Sequence, residues 1–98
     1  MEKKMSKQQA AKVCRSFLLI GSIIFTKHAL EQMQKRGIET RDVFTVIKKG
    51  EIRIEPEIHP KTGRLTYNIE GETIDGRRLT VCTDIYATEK KAVIVTVF

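Results

Sequence analysis

Residues 65–85 read Leu65-Thr66-Tyr67-Asn68-Ile69-Glu70-Gly71-Glu72-Thr73-Ile74-Asp75-Gly76-Arg77-Arg78-Leu79-Thr80-Val81-Cys82-Thr83-Asp84-Ile85, and this stretch decides the fold. Leu65, Tyr67 and Ile69 alternate with Thr66, Asn68 and Glu70. Beyond a break, Leu79, Val81, Thr83 and Ile85 alternate with Arg78, Thr80, Cys82 and Asp84. A period of two is the pattern of a strand with one buried face. Asp75-Gly76, between the two runs, is a hairpin signal because it fits the positive φ angles of a type I′ turn. The stretch therefore predicts two antiparallel strands with Leu65, Tyr67, Ile69, Leu79 and Val81 packed on helices. Thr66, Asn68, Arg78, Thr80 and Asp84 fall on the other face, toward solvent or a ligand.

The flanks extend this sheet. Downstream, Thr88-Glu89-Lys90 turns the chain into residues 92–98, apolar on both faces and so predicted to be a central or well-covered strand. Upstream, His59-Pro60-Lys61-Thr62-Gly63 is a turn by composition, and Ile52 and Ile54 alternate with Arg53 and Glu55 in a strand ending near Glu57. Before Gly50 the period becomes helical. A helix over residues 6–20 starts at the N-cap Ser6, buries Ala10, Val13, Cys14, Phe17 and Leu18, and closes at Gly21. After the extended stretch Ile23-Ile24-Phe25, Thr26 caps a helix over residues 27–36 that Gly37 closes. Thr40 caps a third, ending at Lys49 before Gly50, with Asp42 in its first turn and Lys48-Lys49 in its last. The expected architecture is α+β, three N-terminal helices packed on a four-stranded, mostly antiparallel sheet.

At 98 residues there is room for one domain, residues 1–98. Cys14 and Cys82 are isolated in sequence and read as buried small hydrophobes of a reducing compartment, with no metal or cofactor implied. Lys3, Lys4 and Lys7 precede an apolar run from Phe17 to Phe25, but Gly21-Ser22 interrupts it and no small-x-small cleavage site follows. The run also falls well short of the roughly 20 residues a membrane span needs. A cytoplasmic protein with no membrane partner is expected. Residues 1–49 carry eleven Lys/Arg against four Asp/Glu, a balance of +7, while residues 50–98 carry seven against eight, a balance of −1. A basic helical half beside a near-neutral sheet suits an anionic partner such as RNA, or an acidic protein. A lysine-rich solvated surface would give the same count.

Three segments together resemble a known family. Residues 25–38, Phe-Thr-Lys-His-Ala-Leu-Glu-Gln-Met-Gln-Lys-Arg-Gly-Ile, are similar to the H-A-x-x-x-M-x-x-R-G-I helix of a bacterial domain-of-unknown-function family. Asp42-Val43 and Lys49-Gly50-Glu51-Ile52 resemble its next helix and first strand. Thr73-Ile74-Asp75-Gly76-Arg77 and Val93-Ile94-Val95-Thr96-Val97-Phe98 resemble its D-G-R hairpin and final strand. The resemblance covers residues 23–98 and leaves the helix within residues 1–22 as an addition. That family is similar in fold to the RelE and barnase ribonucleases, many of them toxins of toxin–antitoxin pairs. The resemblance therefore implies an RNA-cleaving ancestry and, often, a cognate antitoxin partner, and the first expectation is a toxin-like domain acting on RNA as a metal-independent endoribonuclease without cofactors. It also marks two departures: Thr80 stands where the family often has histidine, and Phe98 where it often has tyrosine.

Metal-free RNA cleavage needs a base, an acid, and cations that stabilise the phosphorane. Of the two histidines, His28 begins the second helix, where the dipole favours a neutral imidazole fit to act as base, or a packed structural residue. His59 reads as a surface turn residue. Arg36, two turns after His28, and Arg77, after the Asp-Gly turn, are the candidate phosphate ligands. Equally, Arg36 can offset the C-terminal end of its helix. Lys27, Lys35, Lys48, Arg78 and Thr80 are the candidate RNA-binding residues. Asp84 could orient a cation; Tyr86 could stack on a base, and Tyr67 belongs to the core by alternation. Three functions stay open: the ribonuclease toxin, an RNA- or antitoxin-binding module that has lost catalysis, and a structural homodimer formed through a sheet edge.

Overall fold

In the computed structural model, which describes residues 5–58, 60 and 63–98, the chain runs α1 (Lys7–Leu19), β1 (Ile23–Phe25), α2 (Lys27–Arg36) and α3 (Thr40–Lys49). It continues with β2 (Glu57–Ile58), β3 (Leu65–Glu72), β4 (Arg78–Tyr86) and β5 (Lys91–Val97). The class is α+β with three helices, but the sheet has five strands in the order β1-β5-β4-β3-β2 and is mixed. This corrects the expectation of a four-stranded, mostly antiparallel sheet by a fifth strand, which pairs parallel. Ile23-Ile24-Phe25 is a strand of its own, pairing parallel with β5 through Ile23↔Ala92, Ile24↔Val93 and Phe25↔Ile94. Three consecutive apolar residues show no alternation, and the partner lies about 70 positions away, so no local pattern announces the pairing.

A second correction concerns residues 52–57. Only Glu51 touches the sheet there, exchanging both backbone bonds with Glu70 at 2.9 Å, and pairing resumes at Glu57 and Ile58. The bridge brings two glycines together: a Cβ on Gly50 would lie 2.5 Å from the carbonyl oxygens of both Glu70 and Val46. Pro56, which has no N–H for a ladder, lies in the gap. Of the turn expected over residues 59–63, His59, Lys61 and Thr62 lie outside the described residues.

The helices follow their caps. Ser6 Oγ accepts the Gln9 N–H and Thr26 Oγ1 accepts the Ala29 N–H, while Gly21 and Gly37 adopt φ of 71° and 65° after the last turns of α1 and α2. At α3 the N-cap is Glu39 rather than Thr40, because Asp42 Oδ2 reaches back to the Glu39 N–H at 2.9 Å.

Tyr67, Ile69, Val81, Ile94 and Val97 are buried on one face of the sheet; α2 packs on β5, α3 on β3 and β4, and α1 on α3 and β5. Residues of β3 and β4 facing the other way are mostly half-buried or exposed. The tip of the β3–β4 hairpin is not type I′. Asp75 keeps a negative φ and only Gly76 is positive, at 83°; the Gly76 N–H donates to Thr73 O and the Thr73 N–H to Arg77 O. This is a three-residue loop with glycine at its left-handed position. In β5 the register slips so that Cys82 faces Thr96 and Thr83 faces Ile94, leaving Val95 as the extra residue. Its carbonyl accepts the Thr26 hydroxyl at 2.9 Å, which ties the start of α2 to the sheet.

Candidate nucleic-acid interface

Helix α2 carries two of the three candidate catalytic side chains, at opposite ends. His28 lies in the first turn, exposed, without a hydrogen-bond partner among the described residues. Arg36 lies in the last, eight residues on, which is about 12 Å along the axis. Arg77 joins Arg36, not His28. Its Nη1 donates to the Arg36 carbonyl and Nη2 to the Gly37 carbonyl, both at 3.0 Å, while Nε meets Asp75 Oδ2 at 3.1 Å. Every nitrogen of this guanidinium has a partner, and the side chain clasps the hairpin tip to the negative end of α2. Asp75 is the base of the clasp. A hydrogen bond from Thr73, then the hydrogen bond and charge of Arg77, hold its carboxyl below the usual range.

The RNA-binding candidates also separate. Lys27 and Lys35 sit exposed on α2. Lys48 and Arg78 meet in a groove of about 970 Å³ between the end of α3, the bridge at Glu51–Glu70 and the β3–β4 hairpin. Arg15, Lys49 and Arg53 line it as well, against Glu51, Glu70 and Glu72. Two of its cations have carboxylate partners: Arg53 Nε lies 3.0 Å from Glu51, and Arg78 Nη2 3.9 Å from Glu70. Lys48 and Lys49 have none among the described residues. Arg15 donates Nε to Lys48 O at 3.0 Å and Nη2 to Gly50 O at 2.9 Å, and among the described residues no carboxylate forms an ion pair with it, although Glu51 lines the same groove. Its charge therefore stays unpaired at the groove wall. Lysines in a last helical turn also favour the helix dipole, so Lys48 and Lys49 have a structural use as well.

Thr80 stands next to the groove, since its cross-strand neighbour Glu70 lines it. Thr80 and Phe98 exchange backbone bonds at 2.7 and 3.0 Å, so the positions that depart from the family pattern adjoin. Further along that face, Thr66 donates to Asp84 at 2.7 Å. Tyr86 lies under the Arg64 guanidinium at 4.0 Å and the Lys91 ammonium at 4.9 Å from its centroid, so its ring already carries cations. Tyr67 is core, with its hydroxyl on the Met5 backbone. Cys14 and Cys82 are buried thiols, pushed up to about 12 and about 11 by burial first; Arg15 opposes the rise at Cys14, and Glu57 and Asp84 add to it at Cys82. Such thiols are poor nucleophiles and poor metal ligands.

Arg15 is the residue that sequence reading passes over. It borders the apolar stripe of α1, and nothing local ties it to α3 33 and 35 residues away.

The matched segment decides the family. The chain belongs to the DUF4258 family. The model of that domain of unknown function matches residues 25–98, which include α2, α3, the hairpin and β5. No curated protein and no solved structure matches the chain. In this DUF4258 member the match leaves out α1, and with it the Arg15 side of the groove. No helix among the described residues is long and apolar enough to cross a membrane.

Proposed function

We propose that this DUF4258 domain binds single-stranded RNA through the groove at the end of α3, as a toxin-like module of RelE/barnase ancestry. One observation carries the reading: three cations without a carboxylate partner among the described residues, Arg15, Lys48 and Lys49, line a single groove with Arg78. Such a cluster attracts phosphate through Lys48 and Lys49, with Arg15 adding its charge while its Nε and Nη2 stay on the Lys48 and Gly50 carbonyls. Binding ranks above cutting because His28 stands a helix length from Arg36 and Arg77, and Arg77 is already occupied by Asp75 and two carbonyls.

The endoribonuclease reading keeps one support. His28 is exposed and has no partner among the described residues, so a substrate hydroxyl could come within reach of its imidazole. If it cuts RNA, His28→Ala lowers cleavage by about two orders of magnitude while the fold persists.

The binding reading is tested by fluorescence anisotropy of a labelled single-stranded RNA over a salt series. Log affinity falls with log salt by about 0.7 for each phosphate contacted, and Lys48→Glu or Arg78→Glu each flattens the slope by about that amount. An affinity indifferent to salt, or unchanged in both variants, overturns it.

A further inference from the structure

Strand β1 ends the sheet, and no strand pairs with its outer side among the described residues. The Ala92 N–H donates to Ser22 O and the Thr26 N–H to Ile94 O, which turns Ser22 and Thr26 toward β5. By strand alternation, Ile23 and Phe25 then aim their N–H and C=O groups outward. Edges of this kind are usually blunted. Here the approach to the edge is apolar instead: Leu19, Ile20 and Ile24 are 83, 66 and 47% exposed within six residues. Large aliphatics left bare beside unpaired backbone mark a surface for a partner.

The charge around the edge says which partner. Lys27 follows the strand, and Lys90 is tied to its start, with its carbonyl accepting the Ser22 hydroxyl at 2.6 Å. A second copy of the chain would bring an equally basic edge against this one, and like charges opposed across paired strands destabilise them. RNA has no backbone to complete a ladder. We propose that the outer edge of β1 takes up an extended protein segment of alternating aliphatic and acidic residues as an added sixth strand. Its main chain would pair with Ile23 and Phe25, its aliphatic side chains would cover Ile24, and its carboxylates would meet Lys27 and Lys90. The inference is independent of the RNA reading, since it uses none of the groove residues.

The test uses the full chain and a fluorescein-labelled peptide of alternating Val and Glu, with a Val–Lys peptide as control. The Val–Glu peptide binds saturably and shifts the backbone amide resonances of Ile23 and Phe25, whereas the Val–Lys peptide does neither. Reversing both flanking charges, Lys27→Glu with Lys90→Glu, weakens binding by about tenfold, which is about 1.4 kcal/mol. Ile24→Asp weakens it further. Both variants change exposed side chains, and their circular dichroism is checked against the parent chain. No binding by the Val–Glu peptide overturns the proposal, as does binding that leaves the Ile23 and Phe25 amides unmoved. A dimer in sedimentation that Ile24→Asp abolishes also overturns it, because the edge then serves a second copy.

Discussion

Helices α2 and α3 both stop at a glycine, and at both a distant arginine donates to the last carbonyls: Arg77 to Arg36 and Gly37, Arg15 to Lys48 and Gly50. The two ends differ in what balances the arginine. Arg77 arrives with Asp75, so its charge is answered and the clasp closes on itself. No carboxylate among the described residues meets Arg15, and Lys48 and Lys49 stand beside it in a groove. The same capping geometry thus serves as a staple at one end and as one wall of the groove lined by Lys48 and Lys49 at the other. The glycines differ too. Gly37 is needed for its left-handed φ of 65°, with open space around it, whereas Gly50 has an ordinary φ of −78° and is needed for lack of room.

The largest expected effect follows from the glycines. A methyl group on Gly50 meets two backbone carbonyl oxygens, which cannot swing aside as a side chain would. Gly50→Ala should cost about 3 kcal/mol or more, since α3 or the Glu51–Glu70 bridge must move. Gly37→Ala costs about 1 kcal/mol, the penalty of a left-handed alanine. In a domain of this size the first lowers the melting temperature by more than about 10 °C and the second by about 4–8 °C. Equal melting temperatures would erase the distinction between the two helix ends.

The arginines should separate stability from binding. Arg77→Ala and Arg15→Ala each remove two charge-assisted bonds to carbonyls and should destabilise by about 1–2 kcal/mol after allowing for exposure. Only Arg15→Ala also weakens RNA binding, flattening the salt dependence by about 0.7 in the log–log slope. Should Arg77→Ala flatten the slope and Arg15→Ala leave it alone, the roles of the two ends would be reversed.

Much of this frame was legible in the sequence because its signals are local. The bounds of α2 and α3 follow from Thr26, Gly37 and Gly50, and the burial of Tyr67, Ile69 and Val81 from strict alternation. What escaped depends on partners far away in sequence. The strand identity of Ile23-Ile24-Phe25 comes from β5, and the chain leaves the sheet between Glu51 and Glu57 although Ile52 and Ile54 alternate with Arg53 and Glu55. Of the residues that the sequence offers as RNA-binding candidates, Lys48 and Arg78 line one groove, while Lys27 and Lys35 lie on α2. The grouping of His28 with Arg36 rests on helix periodicity, which puts residues on one face but not at one height: eight residues are about 12 Å of axis. Arg15 left no signal, because one basic residue beside an apolar stripe resembles any solvated one.

The smallest effect concerns Asp75, on the closed side of the comparison. Its folded pKa is depressed, chiefly by the Thr73 hydroxyl and then by Arg77. A depressed carboxyl stabilises the fold above its unfolded pKa, ordinarily about 3.9, and that contribution disappears as pH falls through the folded value. Acid should therefore loosen the hairpin tip from the end of α2, in a window at and below about pH 4. Asp75 is exposed, so solvent screens the effect and global stability moves little. The sensitive measurement is the Arg77 Nε–H resonance followed in a pH titration. It should shift with a midpoint below that of an unperturbed aspartate, and Asp75→Asn should abolish the shift. The end of α3 supplies the control: Arg15 meets only carbonyls among its described partners, so its Nε–H resonance should stay still over the same range. If Arg15 titrates alongside Arg77, an acid stands near it as well, and the groove loses the unpaired charge that separates the two ends.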